Sequence, residues 1–478
     1  MANPLIRGLK HAVVFVYGLF TLFYFGYVAV IQGYFFKQPD EKETLELQIA
    51  RDRFWNLSKS WSGLSHQVVT LRNGFNFHYV SNDLPDAVAG SNNKPLVIFI
   101  HGFPDSWAIW RNVLRSASLQ EAATMIAVDL PGYGGSDSLD EYTATNVLEN
   151  LTGFVLAVRS KYGVDSDSDV NRKKTIIVGH DWGCVLSMRL ASEAPELADR
   201  FILSNGPMTS LVASNILRLL SSSFKILKTS LRSPIRSRSA IIKVLKSLKP
   251  VARQLGLSGY VFAMNLPMSF VRYLGTGGNF SFLKIVHKDS YGKREFTPRD
   301  AAECMASTLG PSFEELKTQT PNGQKYPDSV SKERTLSNFQ HMASYYRDGL
   351  AVERWHKSVE TITDLHNIQS EKELRRASSG AGLFDDGPKG VMKACSTTVW
   401  GKADIALDPQ LCLAGISDYL VQNSQVVELP RSGHFTPLEE ESFVALEKTV
   451  EWAVRGEKED IGAVIQACYP GAMVTVRK

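Results

Sequence analysis

A carboxylate stands where the chain must turn sharply. Gly179-His180-Asp181-Trp182-Gly183 follows the apolar run Ile176-Ile177-Val178 and precedes a helix-like stretch, Val185 to Ala194. The glycines let a strand-to-helix turn tighten and expose the middle side chain, the setting of a G-x-nucleophile-x-G elbow. Serine in that place serves acyl transfer. An aspartate attacking an amide would form an unstable anhydride, whereas attack on a saturated carbon with a leaving group forms an ordinary ester that water can cleave. Cleaving that ester requires a base and donors for the oxyanion. His434, in Ser432-Gly433-His434-Phe435, follows the last apolar run and is the expected general base. Asp404, in Trp400-Gly401-Lys402-Ala403-Asp404, ends the run before it and would hold the imidazole tautomer. Asp408 and Asp418 lie nearby as alternatives, although neither follows the run directly. Two backbone N–H groups, those of Trp182 and of Phe103 in His101-Gly102-Phe103-Pro104, are the expected oxyanion hole.

These residues need a frame that gathers the ends of apolar runs. Val68 to Leu71 and Phe75 to Val80, joined through Asn73-Gly74, predict a β-hairpin. Leu96–Ile100, Met125–Val128, Ile176–Val178, Phe201–Leu203, Thr397–Trp400 and Gln425–Leu429 are short runs, most of them continuously apolar and most separated by helix-length stretches. That pattern predicts a mostly parallel sheet flanked by helices, with functional loops at the carboxyl ends of its strands. Those ends read HGFPDS, DLPGYGGSD, GHDWG, SNGP, WGKAD and RSGH. The series is interrupted between Pro207 and about Lys393, where amphipathic helical stretches and a polar loop, Ser378 to Gly390, predict a helical cap over the strand ends.

HGFPDSW, DLPGYGGSD and GHDWG, with the order nucleophile–acid–histidine, resemble the epoxide hydrolase family of the α/β-hydrolases over roughly residues 65–455. The resemblance implies the α/β-hydrolase fold and a second requirement, a pair of cap tyrosines that donate to the epoxide oxygen. Tyr260, seven residues before Pro267, and Tyr346, in Tyr345-Tyr346-Arg347, stand in the matching settings. Tyr273, Tyr291, Tyr326 and Tyr345 compete for those roles. The implied reaction is backside attack by Asp181 on a lipophilic epoxide, followed by ester hydrolysis through His434, giving a vicinal diol without a metal or organic cofactor. His101 and His180 have no proton-transfer work in the family pattern and read as structural or orienting. A haloalkane or fluoroacetate-type dehalogenase uses the same Asp/His/Asp set. Haloalkane dehalogenases carry Asn where Phe103 stands, while Trp182 fits either family. The alternative of another class is a catalytically silent membrane scaffold.

The chain has 478 residues and a net charge of +4, and 44% hydrophobic residues exclude wholesale disorder. Its five cysteines are dispersed, which argues against a disulfide scaffold and a structural zinc site and reads as buried small residues. From His11 through Phe36 there is no Asp, Glu, Lys or Arg, enough as a helix to cross a hydrocarbon core of ~30 Å with tilt. A single-pass anchor in the endoplasmic reticulum or another endomembrane is therefore expected, with the side of the body left open by a near-even spread of flanking Lys and Arg. Three N-x-S/T sequons, at Asn56, Asn150 and Asn279, decide nothing about that side. The expected organisation is an anchor at 1–37, a linker at 38–64, hydrolase core at 65–206, cap at 207–393 and the second part of the core at 394–478.

The charge is segregated. Phe201 to Lys288 holds 13 Lys and Arg and no acid, and from Leu211 to Leu255 the bases interleave with Leu, Ile, Val and Phe. Segment 211–255 thus reads as a basic amphipathic surface for an anionic membrane, set against an ordinary solvated cap helix. No nucleic-acid reading motif is present.

Overall fold

The computed structural model describes every residue except 1–3, 84–93, 165–172, 232–236, 289, 293, 334–337, 377–387 and 478. The polar loop read at Ser378 to Gly390 lies largely outside the described residues, as do two bases of the basic segment, Arg232 and Arg236.

Among the described residues nine strands form one sheet: β1 (Ser65–Thr70), β2 (Asn76–Ser81), β3 (Leu96–Ile100), β4 (Thr124–Val128), β5 (Thr175–His180), β6 (Arg200–Ser204), β7 (Ser396–Gly401), β8 (Gln425–Leu429) and β9 (Met473–Val476). Their spatial order is β1-β2-β4-β3-β5-β6-β7-β8-β9. The block from β4 to β8 is parallel, while β1, β2 and β9 pair antiparallel at the edges. Period-2 alternation sends Leu96, Ile98 and Ile100 of β3 into one core and Val97 and Phe99 into the other, so the strand is apolar throughout because both faces are covered. Each such side chain contributes about 1.5–3 kcal/mol relative to exposure. The short strand β9 carries no continuous apolar run and was not legible in the sequence.

Among the described residues, 207–393 contain helices and turns but no strand. The helices Thr209–Leu231 and Ser237–Leu257 pack on each other, followed by Gly259–Met264 and by Met268–Lys288, which breaks at Gly278–Phe280, where φ is 54–60°.

The N-terminal helix α1 (Pro4–Ile31) is long and apolar enough over His11–Ile31 to cross a membrane. It stops five residues short of the sequence expectation, because Gly33 at φ 75° starts a turn. Nor is it free all round: Gly18, Thr21 and Ala29 are buried and Tyr17, Leu22 and Phe25 half-buried, a stripe at helical spacing that faces the cap. Residues 38–64 also pack. Helix α2 (Glu41–Trp55) buries Phe54 and Trp55, and Trp55 Nε1 donates to Ala306 O at 2.8 Å. The sequon asparagine Asn150 is buried in a helix and accepts a hydrogen bond from Asn73 Nδ2 at 2.9 Å, so it is not open to modification.

Candidate active site

Asp181 follows β5 with φ 51° and ψ −116°, a conformation an L-residue adopts only when its surroundings impose it. The surroundings do so by leaving no room for side chains. A Cβ on Gly183 would stand 2.0 Å from Ile100 O, one on Gly102 would stand 2.4 Å from Asp181 Oδ1, and one on Gly206 would stand 2.6 Å from Asp181 O. The β3 loop, the elbow and the β6 loop therefore meet at the carboxylate.

The N–H of Phe103 donates to Asp181 Oδ1 at 2.7 Å. Trp182 opens the helix Trp182–Glu193, so its N–H belongs to the first turn, which has no intrahelical acceptors. On the other side His434 Nε2 lies 3.6 Å from Asp181 Oδ2, and His434 Nδ1 lies 3.0 Å from Asp404 Oδ2. Burial opposes charge on His434, yet Asp404 and Asp181 outweigh it and the imidazole is pushed up to about 10. Asp404 is fully buried, and burial is again outweighed: His434, Asn205 Nδ2 at 2.6 Å and Ala406 N–H at 2.7 Å hold the carboxyl below its usual range. Of the acids left open, Asp408 caps the helix Pro409–Leu413 and pairs with Arg253 at 3.0 Å, and Asp418 sits in the turn Ile416–Tyr419.

The two further histidines orient backbone. His101 accepts from Leu130 N–H through Nε2 and donates from Nδ1 to Gly102 O, a neutral tautomer that fixes the Phe103 loop. His180 Nε2 sits 2.9 Å from His434 O, and burial, with the neighbouring His434, pulls its imidazole down to about 4.

A cavity of about 520 Å³ opens above Asp181 and is lined by Tyr260 and Tyr346 together with apolar groups such as Val212, Ile216 and Leu350. The two phenol rings meet edge to face at 5.7 Å, and Tyr346 lies against Trp182 at 5.0 Å and Phe103 at 5.6 Å. Tyr346 Oη is buried and has no hydrogen-bond partner, while its neighbour Tyr345 donates to Pro131 O at 2.9 Å. Burial raises both cavity phenols above the usual range, so they stay protonated well into alkaline pH. All seven residues singled out from the sequence are thus brought to one place. Asn205 was not singled out; it bridges Asp404 and the Gly401 N–H, and the only signal for it was its seat in the SNGP loop after β6. Among the described residues no cluster of His, Cys, Asp or Glu is arranged to hold a metal.

Sheet, elbow and intervening helices define the class: the chain has the α/β-hydrolase fold, and a family model described as alpha/beta hydrolase fold matches residues 95–225. Among curated proteins the chain is similar to epoxide hydrolase 3 of Mus musculus, 33% identical over 158 residues that make up 31% of this chain and 37% of that protein. It is also similar to epoxide hydrolase 1 of Caenorhabditis elegans, 34% identical over 155 residues, 32% of either chain. The chain thus matches less than two fifths of the length of these relatives. A crystal structure of a Bacillus megaterium epoxide hydrolase with an inhibitor aligns over 81% of this chain and 99% of that one, at 21% identity and a TM-score of 0.47.

Proposed function

We propose that this chain is an epoxide hydrolase that opens a lipophilic epoxide to a vicinal diol at an endomembrane. The observation that carries the reading is the pairing of Asp181 with two phenols across one largely apolar cavity, Tyr346 Oη being buried and unpartnered. An orphaned hydroxyl in a cavity wall costs stability unless a ligand supplies the partner. A ring oxygen that becomes an alkoxide is such a partner. The curated relatives carry the name epoxide hydrolase, which supports the same class here.

The roles follow from which atoms are already engaged. Phe103 N–H occupies Asp181 Oδ1, leaving Oδ2 to attack a ring carbon from the side opposite the C–O bond that breaks. The electron pair goes to the ring oxygen, which takes a proton from Tyr260 or Tyr346. Oδ1 becomes the ester carbonyl and is already in place for the oxyanion when His434 takes a proton from water and the hydroxide adds to Cγ. Collapse breaks the Cγ–Oδ2 bond and the imidazolium proton goes to the leaving alkoxide; the acid proton left on the Asp181 carboxyl replaces the one spent on the ring oxygen, and Asp404 keeps the imidazole oriented throughout. The roughly 520 Å³ of space suits a substrate of drug or fatty-chain size.

Membrane attachment rests on α1 together with the adjoining helical hairpin. Leu217, Phe224 and Leu245 are exposed at 63%, 68% and 65%, interleaved with Lys225, Lys228, Lys243 and Lys246. That combination fits an anionic bilayer surface. The helix Thr209–Leu231 also lends Val212 and Ile216 to the cavity, so this one helix would touch both substrate and lipid. Membranes carrying the chain should convert a lipophilic epoxide to diol, and membranes carrying Asp181→Ala should not. Halide release from a haloalkane without diol formation would overturn the reading in favour of a dehalogenase.

A further inference from the structure

Helix α1 lies directly behind the wall that carries Tyr260. Gly18 has no space for a side chain: a Cβ there would stand 2.6 Å from Phe262 O and 3.1 Å from Leu266 Cδ2. On the facing helix, Gly259–Met264, a Cβ on Gly259 would meet Thr21 Oγ1 at 3.0 Å. Small residues facing each other in this way bring helix backbones close where no water competes. Tyr17 adds an edge-to-face contact with Phe262 at 4.8 Å, and its Oη donates to Leu255 O at 3.0 Å. Tyr260 is the next residue after Gly259, and with Ser258 and Val261 it lines the cavity. A second line of contact runs from Phe25 to Phe282 at 4.9 Å and from Phe282 to Phe103 at 6.4 Å, the residue whose N–H holds Asp181.

The helix Gly259–Met264 has six residues. A helix so short has no independent stability and takes its position from whatever it packs against. We infer that α1 is a working part of the cap and that Gly18 is a positioning residue for Tyr260, so that the membrane helix and the ring-opening step are mechanically coupled. This rests on the reading of Tyr260 as a donor to the epoxide oxygen. The helix contains its own control, because a Cβ on Gly26 would meet nothing within 4 Å.

The test compares Gly18→Leu, Gly18→Ala and Gly26→Leu in the full chain in membranes, each with Tyr260 and with Tyr260→Phe. Single-turnover ring opening is followed by tryptophan fluorescence, since Trp182 packs at the site, and ester hydrolysis by diol release. Misplacing a reacting group by about 1 Å costs up to roughly 100-fold. Gly18→Leu should therefore slow ring opening by about 10- to 100-fold, Gly18→Ala should slow it less, and Gly26→Leu should leave it unchanged. Ester hydrolysis should hold its rate in all three. In the Tyr260→Phe background Gly18→Leu should cost less than about 2-fold, because the group it displaces is gone. An equal loss in both backgrounds, as general misfolding would give, overturns the inference. So does a Gly18→Leu protein that behaves like Gly26→Leu while the unsubstituted chain makes diol. If the unsubstituted chain makes no diol, the underlying reading falls as well.

Discussion

Replacing Asp181 by Asn should lower the proton affinity of His434 strongly, and the first chemical step should do the same. In the free protein His434 Nε2 lies 3.6 Å from Asp181 Oδ2 and its Nδ1 lies 3.0 Å from Asp404 Oδ2, and the imidazole is pushed up to about 10. Two unit charges about 4 Å apart at an effective dielectric constant near 20 interact by about 4 kcal/mol. Losing that interaction is equivalent to about three decades of proton affinity. An asparagine keeps the shape and removes the charge, as does the ester formed when Asp181 attacks. On the proposed mechanism His434 favours the cation beside the carboxylate before the reaction, makes good the proton spent on the ring oxygen as the ester forms, and is then a neutral base when one is needed. The check is an NMR titration of ¹³C-labelled histidine in the detergent-solubilised chain, with His434 assigned from His434→Gln. His434 should titrate far above the ordinary histidine range in the unsubstituted chain and return toward that range in Asp181→Asn. Equal values in the two proteins would refute the coupling. The sign carries into kinetics: ester hydrolysis should fall away on the acid side, as pH drops through the lowered value of His434 in the ester. Ring opening should persist into alkaline pH, because Tyr260 and Tyr346 are raised and keep their protons.

Tyr346→Phe removes an unpartnered hydroxyl, so thermal stability should hold while ring opening slows by about 10²–10⁴, the range of general-acid contributions. Tyr345→Phe should do the reverse, costing roughly 1 kcal/mol in urea unfolding because Pro131 O loses its donor, with ring opening nearly intact. If both variants behave alike, the distinction drawn between the adjacent phenols is wrong. For the membrane face, a fluorophore at Phe224→Cys or Leu245→Cys should be quenched by nitroxide lipid in anionic vesicles. One at Met473→Cys, 46% exposed on the edge strand β9, should not be, and equal quenching at all three would exclude the proposed face.

Much of this site was written in local sequence because the sheet does the gathering. Parallel strands bring their carboxyl ends together, so residues placed just after apolar runs, such as Asp181, Asp404 and His434, meet without any long-range signal. Tyr260 lies on a cap helix and Tyr346 in the turn that follows another, where spacing says nothing of what faces the cavity, and resemblance rather than periodicity pointed to them. Asn205 was missed because its work is second-hand: it touches Asp404 and Gly401 rather than the cavity. The docking of α1 was hidden for a different reason. Gly18, Thr21 and Phe25 look like any apolar span in composition, and only the partners they meet, Phe262, Gly259 and Phe282, make the stripe specific. The packing of α2 escaped for a similar cause, since its polar composition masks the two aromatics, Phe54 and Trp55, that bury it.

The half-docked state of α1 bears on how the protein can be handled. Detergent that extracts a membrane helix coats its apolar surface, and the stripe of α1 that meets the cap is made of the same groups as the face that would meet lipid if the proposed anchoring holds. A harsh amphiphile can therefore compete for Gly18, Phe25 and Ala29 while the sheet, held by two fully covered cores, stays folded. Such a preparation would look sound by circular dichroism and by the histidine titration, yet have a slack wall behind Tyr260. Reconstitution into bilayers, rather than retention of fold, is then the standard by which a purified sample of this chain should be judged.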